Sequence, residues 1–355
     1  MPTPATNAVR LLLLATLVGA STTDAVEPLP ALAANAAAVT VSGISSGGYM
    51  AVQYQVAHSQ TVSGAAVLAG GPYQCAEGSL WRAMRNCMTP SDWSPAPDLA
   101  RQLSALEHAA RAGKIDQPEG LRDDRVWLLS GGNDHTVERP VVDALAAFYE
   151  HWTAAGALRY LKPPDPGHAM ISATDAEANA CVTTDPPFIN RCPDPDGTGL
   201  YDAPKEMLRH LLGPPPEPAA GAGQVVEFDQ SAFVRGRPDD AGLAAAGFAY
   251  VPAACRQESC RIHVAFHGCR QSAAQIGRRY IDKVGYNAWA DRYGLIVLYP
   301  QTVPRSGFAF GSWRWLYNPK ACWDWWGYTG SDYATREGSQ IKAVKAMIDR
   351  LGSVR

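Results

Sequence analysis

The stretch Ser42-Gly43-Ile44-Ser45-Ser46-Gly47-Gly48-Tyr49-Met50 constrains this chain more than any other. An apolar run ending at Val41 turns there into a helical pattern that continues from Gly47 to His58. Gly43-x-Ser45-x-Gly47 is the pattern of a nucleophile elbow, a serine set on a tight strand-to-helix turn. The turn strains the serine backbone and leaves no room for side chains beside it, so glycine at 43 and 47 is a steric requirement. The N-terminus of the following helix aims unpaired N–H groups and a dipole at the place where an oxyanion would form. Gly and Ser also make ordinary turns. Ser45 is therefore the candidate nucleophile on condition that partners follow it.

With 355 residues, 46% of them hydrophobic, the chain can bury a large core as one big domain or two. Its formal net charge of −3 gives no electrostatic case for a nucleic acid or an anionic membrane as partner, and points to an uncharged one. Arg10 followed by the apolar run Leu11 to Ala20 and small residues up to Ala25 reads as a secretory signal peptide over residues 1–25. The run is short for a membrane anchor, which is the competing reading. The expected location is extracellular, with the periplasm as the alternative. Eight cysteines agree with export, and their spacing favours pairing nearest neighbours: Cys75 with Cys87, Cys181 with Cys192, Cys255 with Cys260, Cys269 with Cys322. The spacings lack the histidine partners of a zinc site, and neither a His-Glu-x-x-His helix nor a dinucleotide fingerprint occurs. No metal or organic cofactor is implied.

Val39-Thr40-Val41 feeds the elbow, and Gly64 to Gly71 reads as the next buried strand, as expected for a parallel sheet covered on both faces. Residues 72–122 read as a disulfide-pinned excursion and a covering helix over Asp98 to Ala112. Arg125 to Ser130 is a further strand running into Gly131-Gly132-Asn133-Asp134, where an acid at the carboxyl end of a strand can face a base. After a helical pattern over 138–156 and a short strand at Leu158 to Leu161, the stiff turn Pro163 to Gly167 presents His168. The order Ser45, Asp134, His168 is that of the α/β-hydrolases. Singly, Asp134 is as well explained as a helix cap and His168 as a turn residue, and Asp123, Asp165 and Asp175 are rival acids. The joint pattern makes the triad.

Asp202 to Leu212 is the last helix of this half, and the Pro/Gly-rich stretch 213–223 reads as a linker between halves 39–212 and 224–355. The strands Arg261 to Phe266 and Gly294 to Gln301 need neighbours that the first half supplies. His267-Gly268-Cys269 follows the first of them. Hydrolases of this class take one oxyanion N–H from the residue after the nucleophile and another from a His-Gly loop. The backbone N–H groups of Ser46 and Cys269 are the two expected donors, with His267 structural.

Taken together, Ser42 to Met50, Ser130-Gly131-Gly132-Asn133-Asp134, Pro166-Gly167-His168, His267 to Gln271 and Cys322-Trp323-Asp324-Trp325-Trp326 resemble the single-domain extracellular polyhydroxybutyrate depolymerases. The resemblance covers essentially the whole chain after residue 25. It implies an α/β fold, a circularly permuted α/β-hydrolase with a mostly parallel, disulfide-bonded sheet, as one catalytic domain over 26–355. It also implies Ser45, Asp134 and His168 as nucleophile, acid and base, Cys269 as the second oxyanion donor, and Trp323 at the mouth of the substrate crevice. The C-terminal pattern Gln340 to Asp349 suits the helix that precedes the nucleophile strand in an unpermuted hydrolase, which supports permutation. The activity implied is hydrolysis of poly(3-hydroxybutyrate), a hydrophobic polyester, through an acyl-enzyme on Ser45. The same triad would serve feruloyl or acetyl esters of plant walls, or soluble hydroxyalkanoate oligomers. A non-catalytic secreted binding protein is the reading from another class.

Overall fold

Short apolar runs bounded by glycine and proline become the strands of one eight-stranded sheet in the computed structural model, which describes residues 1–2, 27–217 and 222–354. The expected signal peptide, apart from Met1 and Pro2, and part of the linker lie outside the described residues. In chain order the strands are β1 (Asn35–Ile44), β2 (Val62–Leu68), β3 (Arg125–Leu129) and β4 (Leu158–Leu161) from the first half. The second half contributes β5 (Gln224–Asp229), β6 (Ala246–Val251), β7 (Arg261–Phe266) and β8 (Leu295–Tyr299). Across the sheet they run β4-β3-β2-β1-β7-β8-β6-β5. All pairings from β4 to β8 are parallel, and β6 is antiparallel to both β8 and β5. Neither β5 nor β6 is foreseen in the sequence reading.

Because both faces of a parallel sheet are covered, each strand splits its side chains between two cores. Val41, Val67 and Val126 face one core, with α1 (Ser46–Ala57), α2 (Leu99–Arg111), α3 (Arg139–Trp152) and the C-terminal helix. Ala66, Leu68 and Trp127 face the other, with α4 (Ala203–Leu212) and α5 (Tyr286–Tyr293). The acidic residues before α2 and α4 act as caps: Asp98 accepts from Arg101 N at 3.0 Å and Asp202 from Lys205 N at 3.1 Å. Each fills an N–H that the first helical turn leaves unpaired.

The C-terminal helix α6 (Ser339–Gly352) packs at the start of the nucleophile strand, where Leu32 N and Ala34 N donate to Leu351 O at 3.1 and 3.0 Å. Read from β5 onward, the elements come as the antiparallel edge, the strand of the His-Gly loop, β8 and α6, then the nucleophile strand β1, with β2 to β4 after it. That is the order of an α/β-hydrolase entered at a different point, a circular permutation. Three disulfides, Cys75–Cys87, Cys181–Cys192 and Cys255–Cys260, close local loops, and a fourth, Cys269–Cys322, joins residues 53 apart. Among the described residues no helix is long and apolar enough to cross a membrane.

Candidate active site

Ser45 sits between β1 and α1 with φ 56° and ψ −126°, a conformation that L side chains rarely adopt. The glycines on either side explain how the chain tolerates it. A Cβ at Gly43 would lie 2.1 Å from Gly47 O, and one at Gly47 would lie 2.3 Å from Phe266 O and 2.4 Å from His267 O. The second contact also shows that the elbow and the His-Gly loop are in van der Waals contact through backbone. Ser45 N donates to Leu68 O at 3.0 Å, which ties the turn to β2.

The acid and the histidine come from adjacent loops that are fastened together before their side chains meet. Gly132 N donates to Pro163 O at 2.9 Å, Asn133 N to Pro166 O at 3.1 Å, and the Asn133 amide to Asp165 O at 2.8 Å. Asp134 and His168 are then 5% and 7% exposed, and His168 Nδ1 donates to Asp134 Oδ2 at 2.8 Å. The other carboxylate oxygen accepts from Thr136 N and Val137 N, each at 2.9 Å. Asp134 thus opens the turn before α3 and orients the histidine with one carboxyl group. His168 N donates to Thr184 Oγ1 at 2.9 Å, which fixes the backbone that carries the ring. Of the rival acids, Asp175 is committed to Arg279 (2.7 Å) and Asp165 meets Asn133 only through its backbone.

Ser45, His168 and Cys269 line one cleft of about 410 Å³. Ser45 and His168 share no hydrogen bond among the described residues; such bonds are often long until substrate binds. Ser46 begins α1, so its N–H has no intrahelical acceptor. In the His-Gly loop, Gly268 N donates to Gln271 Oε1 (2.8 Å), Arg270 N to Lys320 O (2.8 Å) and Gln271 N to Gly268 O (3.3 Å). Cys269 N–H has no protein acceptor among the described residues.

The expectation for Trp323 is corrected. Its ring is 0% exposed, wedged edge-on against Phe266 at a centroid distance of 5.0 Å and tilted over His267 at 5.7 Å. It fills the core behind the His-Gly loop because the Cys269–Cys322 disulfide draws the start of its segment inward. Of this tryptophan cluster Trp325 and Trp326 line the cleft, with Tyr49, another lining ring, stacked on Trp325 at 4.1 Å and 12°. Tyr49 follows the elbow by four residues, one helical turn, and that spacing was a readable signal. Asp324, buried, holds this wall together: Gly327 N, Tyr328 N, Thr329 N and Thr329 Oγ1 donate to it at 2.7, 3.0, 2.7 and 2.6 Å. Among the described residues no cluster of three His, Cys, Asp or Glu side chains is placed to hold a metal ion.

Sheet order, elbow and acid–histidine pair define the chain as an α/β-hydrolase with the constellation of a serine hydrolase. Comparison with known proteins narrows this. Residues 246–353 match the family model described as esterase PHB depolymerase. A poly(3-hydroxybutyrate) depolymerase of Delftia acidovorans is 38% identical over 344 residues, covering 95% of this chain, and this chain spans 64% of that relative's length. A polyhydroxybutyrate depolymerase of Talaromyces funiculosus is 32% identical, with 93% of this chain and 94% of the relative aligned. The crystal structure of a PHB depolymerase from Penicillium funiculosum superposes with a TM-score of 0.78 at 30% identity, covering 91% of this chain and 98% of the other. A serine-to-alanine PHB depolymerase complexed with an R3HB trimer matches equally well, at 0.78 and 30%. The chain belongs to the polyhydroxybutyrate depolymerase family.

Proposed function

We propose that this chain is an exported serine esterase that cleaves the ester bonds of poly(3-hydroxybutyrate), as one catalytic domain over residues 26–355. One observation carries the proposal: a positive-φ serine elbow, a buried Asp134–His168 pair and a Cys269 amide with no protein acceptor among the described residues converge on one cleft walled by Tyr49, Trp325 and Trp326. His168 accepts the Ser45 proton as Oγ attacks the ester carbonyl, and Asp134 stabilises the resulting imidazolium. The N–H groups of Ser46 and Cys269 receive the oxyanion, each contributing roughly 3 kcal/mol to the transition state. Collapse expels the alcohol end, which takes the proton from His168. A water activated by the same histidine then hydrolyses the acyl-enzyme and restores Ser45.

An uncharged polyester suits a cleft walled by rings. Next to it, the ribbon formed by Arg305–Phe308 and Trp315–Asn318 exposes Phe308, Phe310, Trp313, Trp315 and Tyr317, and Tyr317 also lines the cleft. Large exposed aromatic patches mark interaction surfaces. This patch gives the catalytic domain its own means of meeting solid polymer. Four disulfides support an oxidising destination outside the cytoplasm.

Clearing of a poly(3-hydroxybutyrate) suspension, run beside Ser45→Ala and a feruloyl-ester control, tests the assignment. Clearing by the wild type and none by the variant is expected. Turnover of the feruloyl ester without clearing would transfer the enzyme to the plant-wall esterases, and inactivity on both would favour a binding protein.

A further inference from the structure

A poly(3-hydroxybutyrate) chain is uncharged along its length, and its charged group is the carboxylate at one end, ionised at neutral pH. The cleft nevertheless carries two cations, Arg270 and Lys320. Both are exposed, and neither side chain has a hydrogen bond or ion pair among the described residues, although Asp185 lines the same cleft. The two are held side by side by backbone. Arg270 N donates to Lys320 O at 2.8 Å, and the Cys269–Cys322 disulfide joins the segments that carry them. Asn318 closes the turn that presents Lys320: its amide N–H donates to Cys322 O and its Oδ1 accepts from Cys322 N, each at 2.8 Å. Arg270 has φ 62°, in the left-handed region that glycine or asparagine occupies more readily. A long cation kept on such a backbone, one residue beyond the oxyanion donor Cys269, is an outlier that points to function.

Cleavage through Ser45 keeps the hydroxyl-terminal fragment of the chain as the acyl group and releases the carboxyl-terminal fragment as the alcohol. A chain-end carboxylate therefore travels with the leaving fragment. We propose that Arg270 and Lys320 form a carboxylate subsite that holds the acid terminus of a 3-hydroxybutyrate oligomer, so that ester bonds near a carboxyl end are cleaved in preference to those in mid-chain. The planar guanidinium can take both carboxylate oxygens, and the lysine adds a compact charge beside it. Because the backbone bond and the disulfide already set the spacing of the two segments, less ordering is left to be done when the carboxylate arrives. Uncharged repeat units are left to the rings of Tyr49, Trp325 and Trp326. The cations thus add a distinction between chain end and chain interior that the rings cannot make.

The inference rests on the esterase reading above, and its test separates the two. The probes are the (R)-3-hydroxybutyrate trimer as free acid and as methyl ester, with cleavage of the internal esters followed by liquid chromatography at neutral pH. At low salt the wild-type kcat/KM is expected to be roughly 3- to 10-fold higher for the acid, the range that two exposed charge pairs supply. Taking the ratio of the two probes cancels any effect of a substitution on the reaction centre. Lys320→Gln should lower the ratio, the double variant Arg270→Gln/Lys320→Gln should bring it to about 1, and Lys320→Glu should place it below that of Lys320→Gln. For wild type the ratio should also fall toward 1 at about 1 M salt, where the screening length is about 3 Å. Melting temperatures establish that the variants are folded, and the Lys320 variants, at an exposed side chain, read the ratio even where the double variant unfolds. A wild-type ratio at or below 1, or one that survives high salt or the Lys320 substitutions, would overturn the subsite and leave the esterase reading in place. No cleavage of either trimer by wild type would overturn the esterase reading, and this inference with it.

Discussion

Replacing Gly47 by alanine should uncouple the nucleophile from the oxyanion loop. The added Cβ would lie 2.3 Å from Phe266 O and 2.4 Å from His267 O, where 3.0 Å is the floor for real contacts. Both obstacles are backbone, at the end of β7 and the start of the His-Gly loop, so no rotamer change can relieve the clash. The start of α1 and the loop carrying Cys269 must separate by most of an ångström. Overpacking of this kind costs about 1–3 kcal/mol of stability, and a misplacement near 1 Å at a reacting centre costs on the order of 10²-fold in rate. Gly48→Ala is the milder comparison, because its Cβ would meet the Val67 methyl group at 2.9 Å and the Leu68 carbonyl at 3.2 Å. Urea unfolding and kcat on a soluble ester, measured on both variants, give the two readouts. A Gly47→Ala protein that loses stability but keeps wild-type kcat would refute the claim that this contact sets the spacing of nucleophile and oxyanion donor.

Other outcomes follow from the same geometry. Asp134→Asn removes the carboxylate that orients His168 at 2.8 Å and should lower kcat by roughly 10⁴-fold with little change in KM. Cys322→Ser opens a bridge between residues 53 apart in sequence and should cost about 2–5 kcal/mol in unfolding free energy, with slower acylation because Cys269 is released as well. Trp323→Ala should destabilise by about 3–5 kcal/mol in denaturant titration, as a core truncation does, whereas Trp325→Ala should act mainly on KM. Burial pushes the Asp124 carboxyl from 3.8 up to about 7, against the opposing hydrogen bond from Gln55. The folded protein then holds a proton that the unfolded chain has released. This contribution to stability is full below the unfolded value and is lost as pH rises through about 7, so Asp124→Asn should flatten the fall in melting temperature between pH 4 and 8.

The candidate site was largely legible because the residues it brings together are marked in local sequence. An elbow needs glycines at fixed offsets from Ser45, and Asp134 and His168 each follow a strand that apolar runs announce. The helix ends were also readable, since Asp98 and Asp202 are caps by residue type. What escaped was decided by contacts distant in sequence. The strand Ala246–Val251 pairs antiparallel with both β8 and Gln224–Asp229; it is a short apolar run with no helical or alternating period to fix its type, and Gln224–Asp229 mixes apolar with polar residues. Trp323, Trp325 and Trp326 lie in a loop without helical or strand periodicity, so sequence could not say which ring faces the cleft. The turn organised by Asp324 and the Cys269–Cys322 bridge makes that choice.

The most direct test of the catalytic account is to quench the enzyme with acid during the first turnover of a 3-hydroxybutyrate oligomer and map the acylated peptide by mass spectrometry. A hydroxybutyryl ester on Ser45, absent from Ser45→Ala, is the expected result. Hydrolysis at the wild-type rate with no acyl group on Ser45, or with the group on another residue, would contradict it.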